Sequence, residues 1–130
     1  MKLGRREFVV ASSAAFTYAL FPSRTVLGAT TMYGLIGKVK TIEGKRDEFI
    51  KLLLEGTGAM PGCLSYIVAT DPSDVTAVWI TEVWDSKESH EASLKLAAVQ
   101  TAIARGRPMI AGFGERFITE PVGGHGLPKK

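Results

Sequence analysis

Between Met32 and Thr119 the apolar residues recur at two spacings, and the switches between them divide the chain into elements. Tyr33, Leu35, Gly37 and Val39 alternate with Gly34, Ile36 and Lys38, which predicts a first strand over Tyr33–Lys40. Ile42-Glu43-Gly44-Lys45 turns the chain. Phe49, Leu52 and Leu53 then fall at helical spacing, opposite Asp47, Glu48, Lys51 and Glu55, so 47–55 is expected as an amphipathic helix lying on a sheet. Gly56, Gly58, Pro61 and Gly62 form a loop. Cys63–Thr70 follows as a second strand with Leu64, Tyr66, Ile67 and Val68, and Asp71-Pro72-Ser73-Asp74 has hairpin-turn composition. Val75–Trp84 is its antiparallel partner. Ser86–Arg105 predicts a second helix, broken near Leu96–Val99 and stopped by Gly106-Arg107-Pro108. Met109–Thr119, through Ala111, Phe113, Phe117 and Ile118, is the last strand; Gly112 and Gly114 within it signal close packing or a bulge.

The order βαββαβ predicts an α+β, ferredoxin-like antiparallel sheet with both helices on one face. Apolar residues occupy both faces of the strands, so the other face needs a cover. The simplest is the same sheet from a second copy, a homodimer.

Length and charge narrow the picture further. The chain has 130 residues, room for one domain, expected over 32–120 with a flexible Gly-rich tail at 121–130. Residues 1–29 have the layout of an export signal: Lys2, Arg5 and Arg6, then an uncharged run from Phe8 to Phe21, then Pro22. Arg5-Arg6 with Phe8 two places on is similar to a twin-arginine signal, which implies an extracytoplasmic or periplasmic location. The apolar run is shorter than the roughly 20 residues of a membrane span, so no stable span is expected in the mature chain. A cut near Gly28 or Ala29 takes four of the 16 basic residues (Lys2, Arg5, Arg6, Arg24) and one of the 13 acidic ones (Glu7), leaving 12 of each. The basic balance belongs to the signal, and the case for nucleic acid as a partner disappears with it. Cys63, the lone cysteine, has no internal disulfide partner, and its apolar neighbours suggest burial.

No metal-binding, nucleotide-binding or nucleophile-elbow signature is present, so no metal or cofactor is expected. The chemistry concentrates at Val78–His90, where a strand becomes a helix. Asp85 or Ser86 with Glu88 makes an N-cap and an acidic first turn, and Trp79, Glu82, Trp84 and His90 gather around the junction. Glu82 shares a face with Ile80 and Trp84; if buried, it needs a partner. His90 carries an imidazole, the side chain best suited to serve as a proton acceptor. Tyr66 and Trp79, on neighbouring strands, suit stacking on a flat ligand, although strand aromatics more commonly serve a core or interface. Arg105, Arg107 and Arg116 are candidate partners for Glu82 or for a phenolate, with the two at the helix end also serving the helix dipole.

This strand end and helix start, with the element order, resemble the antibiotic biosynthesis monooxygenase (ABM) family of small dimeric α/β-barrel proteins. The resemblance implies a face-to-face dimer and, in members that oxidise quinol-like polyketides, an O2 reaction without flavin or metal. Read from the residues themselves, Trp84, His90 and Glu82 are the candidate catalytic residues, and Tyr66, Trp79 and Arg105 the candidate substrate contacts. Only Trp84 matches a family tryptophan directly. Heme-degrading members carry an asparagine on the first strand, absent from Tyr33–Lys40, and a helix histidine nearer Ala92 than His90, so heme degradation is not implied. The expected function is oxidation of a small quinol or polyphenol-like aromatic by O2. The rival is a non-catalytic module that binds such a compound.

Overall fold

A computed structural model describes residues 31–128, and the export-signal reading of 1–29 lies outside them. Strand β1 (Tyr33–Thr41) leads through Gly44, in the left-handed region at φ 83°, into helix α1 (Arg46–Gly56). Strands β2 (Cys63–Thr70) and β3 (Ala77–Trp84) form the hairpin. Helices α2 (Lys87–Ser93) and α3 (Ala97–Gly106), a 3-10 turn (Arg107–Met109) and strand β4 (Ile110–Thr119) complete the order. The sheet runs β2-β3-β1-β4 with every pairing antiparallel, the ferredoxin-like arrangement.

Two boundaries and one burial differ from the sequence reading in ways that bear on the site. β3 starts at Ala77 rather than Val75, because the Asp74 carboxylate accepts from the Thr76 N–H (2.9 Å) and hydroxyl (2.8 Å) and keeps Val75 in the turn, 75% exposed. The second helix divides at Leu94–Leu96, slightly earlier than expected; Ser93 donates its hydroxyl to the His90 carbonyl at 2.6 Å as α2 ends. Cys63 is half-buried rather than buried: it stands at the edge strand's first position, beside an irregularity between Cys63 and Ser65. The bulge expected in the last strand is present, since the register slips between Gly37 and Val39 opposite Phe113–Arg116, and a Cβ on Gly114 would collide with the Lys38 side chain at 2.9 Å.

Register assigns the faces, because directly opposed residues point the same way. Leu35, Gly37 and Val39 on β1 share a face with Glu82, Ile80 and Val78 on β3, and with Tyr66 and Val68 on β2. The helices cover this face. Val39, Phe49 and Val78 form the core, with Ile50, Leu53, Val68, Ile80, Met109 and Ile110 packed on it. Burying one such side chain contributes about 1.5–3 kcal/mol. The opposite face presents Ile36, Ile67, Trp79, Thr81, Val83 and Phe117; Ile67 is 54% and Phe117 52% exposed, so among the described residues this apolar face stays open. No helix among the described residues is long and apolar enough to cross a membrane.

Candidate functional site

The site is assembled at the β3–α2 junction that the sequence singles out. Ser86 caps α2, its Oγ accepting from the Ser89 N–H at 3.1 Å. Gly62, at φ 84°, brings the preceding loop against this cap: its carbonyl accepts from the Asp85 N–H at 2.9 Å, and a Cβ there would meet Ser89 Oγ at 2.5 Å. The loop therefore fixes where α2 begins, and α2 fixes His90.

Between the sheet and the helices lies a cavity of about 640 Å³. Its volume lies within the usual range for small-molecule sites, roughly 300–1,000 Å³. Val39, Tyr66, Glu82 and Trp84 form its sheet side; Leu53, Val99, Ala102 and Ile103 belong to its helix side, and His90 and Ser93 to α2. Most of the wall is apolar, and Glu82, Tyr66 and His90 come together on one part of it.

Trp84 is fully buried and donates its indole N–H to Glu82 Oε1 at 2.9 Å. This bond satisfies both the indole and one carboxylate oxygen of a half-buried strand glutamate. The His90 ring lies between two aromatic rings, 5.5 Å from Trp84 in an edge-on arrangement and 5.5 Å from Tyr33 in a tilted one. Burial, then the Glu82 charge and Cys63, push the Tyr66 phenol far above its ordinary value, so it stays protonated and is a hydrogen-bond donor. Cys63 is raised for the same first reason, burial, with Glu82 adding to it against a hydrogen bond to the Ser65 carbonyl. The thiol form is thereby favoured, and the nucleophilic thiolate disfavoured.

Glu82, Trp84, His90 and Tyr66 thus meet around one space, as their positions along the chain suggest. Two other candidates do not join them. Trp79 sits on the open face, opposite Ala69 and Lys38, where its indole N–H donates to Asp71 Oδ2 at 3.0 Å and Lys38 Nζ lies 5.4 Å from its ring centre. It lies three positions, an odd step, before Glu82, so strand alternation sends it to the other side. Arg105 lines a separate recess with Glu48, Lys51 and Glu55 of α1, while Arg107 reaches the cavity. Tyr33 stands against His90 at the edge of the site without having been singled out; it opposes Trp84 in the β1–β3 pairing, a contact between elements far apart in sequence. Among the described residues no three His, Cys, Asp or Glu side chains converge as a metal site.

The comparisons agree with this architecture. Residues 32–105 match the family model described as antibiotic biosynthesis monooxygenase. A crystal structure from Chloroflexus aurantiacus J-10-fl, named after the antibiotic biosynthesis monooxygenases, is 61% identical and superposes with a TM-score of 0.74 over 75% of this chain and 100% of that one. Structures named after the same family from Caulobacter crescentus CB15 (22% identity, TM-score 0.61, 71% of this chain and 89% of that one) and Nitrosomonas europaea (16%, 0.64, 78% and 97%) share the fold. No protein of curated function matches. With 32–105 covered by the family model and a 61% identical relative spanned end to end, the chain belongs to the antibiotic biosynthesis monooxygenase family.

Proposed function

We propose that this protein is a cofactor-independent monooxygenase of a quinol or polyphenol-like aromatic. The observation that supports this reading is the convergence of Glu82, His90 and the protonated Tyr66 phenol on one apolar cavity walled by Trp84. In the proposed reaction a quinol and O2 give a hydroxyquinone and water. One oxygen atom forms a bond to a ring carbon, the other leaves as water, and the four electrons that reduce O2 come from the substrate. Glu82 or His90 takes the phenolic proton, which raises the ring's electron density and allows electron transfer to O2. The Tyr66 hydroxyl donates to the resulting phenolate, and the apolar walls exclude water from the reduced-oxygen intermediate.

The family's face-to-face pairing and the exposed Ile67 and Phe117 support a homodimer that closes the open sheet face. The Arg5-Arg6 pair and the apolar run after it support export by a twin-arginine-type route, with mass spectrometry of the mature N-terminus as the check.

Oxygen uptake by the purified protein with a panel of quinols and polyphenols tests the activity, with 18O2 to follow the label into product. Glu82→Gln or His90→Ala, whichever removes the base, is expected to lower kcat about 100-fold or more. If no quinol or polyphenol drives uptake while one still binds the folded protein, the cavity belongs to a binding module and the oxygenase reading falls.

A further inference from the structure

The ionisable groups that line the cavity are unevenly spread along it. Among the described residues the wall holds one carboxylate, Glu82, one imidazole, His90, and one guanidinium, Arg107. Glu82 and His90 stand together beside Trp84. Arg107 stands apart from them. Glu82 opposes Leu35 on β1, whereas Ile110, directly after the turn that carries Arg107, opposes Thr41. From Leu35 to Thr41 is six steps of strand (41 − 35), about 20 Å at roughly 3.3 Å per residue. One end of the cavity therefore carries the proton acceptors and the other carries a fixed cation.

That cation has no acidic side chain among the described residues to neutralise it. Among the described residues the ion pairs use Lys38, Lys40, Lys45 and Lys87, and no acidic side chain pairs with Arg107. A guanidinium stays charged at any working pH and presents a planar fork of donors that matches a carboxylate with two parallel hydrogen bonds. Arg107 is exposed at the rim of the cavity, so it meets an anion mainly through direct charge-assisted hydrogen bonds at that end rather than through a long-range field. At the Glu82 end the same anion would meet a carboxylate, so the two ends impose a direction on an elongated ligand. Arg105, only two residues earlier, faces the recess shared with Glu48 and Glu55 and so takes no part.

We infer that the cavity selects an anionic aromatic, a hydroxyaryl carboxylate whose carboxylate sits on Arg107 and whose phenolic ring end is directed at Glu82 and His90. Arg107 is in this account a specificity-determining residue. The identity of the reacting end rests on the monooxygenase reading; recognition of the carboxylate does not.

The test separates the two. Binding of a hydroxynaphthoate, with hydroxyl and carboxylate at opposite ends of its ring system, is compared by calorimetry with binding of the corresponding neutral hydroxynaphthamide. Wild type, Arg107→Gln and Arg105→Gln are measured under anaerobic conditions. The expected result is about tenfold tighter binding of the naphthoate by wild type, the size of one charge-assisted hydrogen-bonded pair. That preference is expected to vanish in Arg107→Gln and to survive in Arg105→Gln. Equal binding of the two ligands by wild type, a preference that survives Arg107→Gln, or no binding of either overturns the inference. A preference that depends on Arg107, found together with no oxygen uptake on any substrate, sinks the oxygenase reading and leaves the anionic ligand standing. Uptake with neutral quinols and no such preference does the reverse.

Discussion

The two faces of the sheet are built from the same strands by the same alternation, yet they end in different states. The helix-covered face buries Val39 and Val78, brings Trp84 to zero exposure, and still leaves a cavity in which Glu82, His90 and Tyr66 meet. The open face carries as much apolar character in Ile36, Ile67, Val83 and Phe117, but its polar groups are tied to one another: Lys38 lies 3.6 Å from Asp71 and 3.9 Å from Glu115, and Asp71 also accepts from Trp79. Polar groups on the first face are held so that they point into space. On the second they are mutually satisfied. A face prepared for a ligand keeps some hydrogen-bonding capacity unspent, whereas a face prepared for packing uses it internally.

The largest separation between the faces comes from their tryptophans. Replacing fully buried Trp84 by Ala is expected to cost about 3–5 kcal/mol of stability in denaturant unfolding and to release Glu82 from its indole partner. Trp79→Ala should cost clearly less, since Trp79 is only partly buried. Equal losses would mean that the open face is as much a core as the covered one.

A charge on the open face probes what covers it. Phe117→Asp places a carboxylate where Phe117 is 52% exposed, and the single chain should keep its helix content by circular dichroism. If a second copy covers this face, sedimentation equilibrium should show dimer association weakened by about 100-fold or more, as expected for a charge buried without a partner. An unchanged dimer would assign the pairing to another surface.

The smallest effect is electrostatic and lies at the hairpin that borders the open face. Hydrogen bonds from the Thr76 backbone and hydroxyl, then Lys40, hold Asp74 down at about 2 from an ordinary 3.8, and hydrogen bonds from Ser73 hold Asp71 lower still. Both carboxylates are depressed in the folded chain, so their contribution is fully present above pH 3.8 and is lost as pH falls through about 2. Unfolding followed between pH 5 and pH 2 should therefore show a decline that Asp74→Asn flattens, with little change at neutral pH from the ionisation itself.

Much of the fold was legible in order along the chain because its signals are local. Alternation at Tyr33–Val39, the Phe49-Leu52-Leu53 spacing, the Asp71–Asp74 turn and the Ser86 cap each act within a few residues, and each is found near its expected place. The boundaries that moved did so through local hydrogen bonds, two from Thr76 to Asp74 and one from Ser93 to His90, whose choice among competing partners no periodicity reports. Within the site, Trp84, Glu82 and His90 were legible because one strand end and one helix start carry them all, and Tyr66 because the hairpin sets it opposite Glu82. Tyr33 and Arg107 come from elements 50 or more and 17 or more residues from that junction's Trp84 and His90, and only packing brings them in.

The sequence by itself determined the element order, the antiparallel sheet that follows from it, the capped junction after Trp84, and the fact that Trp79 and Glu82 must lie on opposite sides of one strand. The tertiary structure alone decided which of those sides received the helices, and hence that Glu82 borders a cavity while Trp79 faces away. It decided likewise that Arg107, and not Arg105, reaches that cavity, because the chain leaves α3 for a 3-10 turn between them and changes the direction of its side chains. Alternation is a property of neighbouring peptide units and is written locally. Which face is covered depends on the burial of residues far apart in sequence, and that is settled only when the whole core closes.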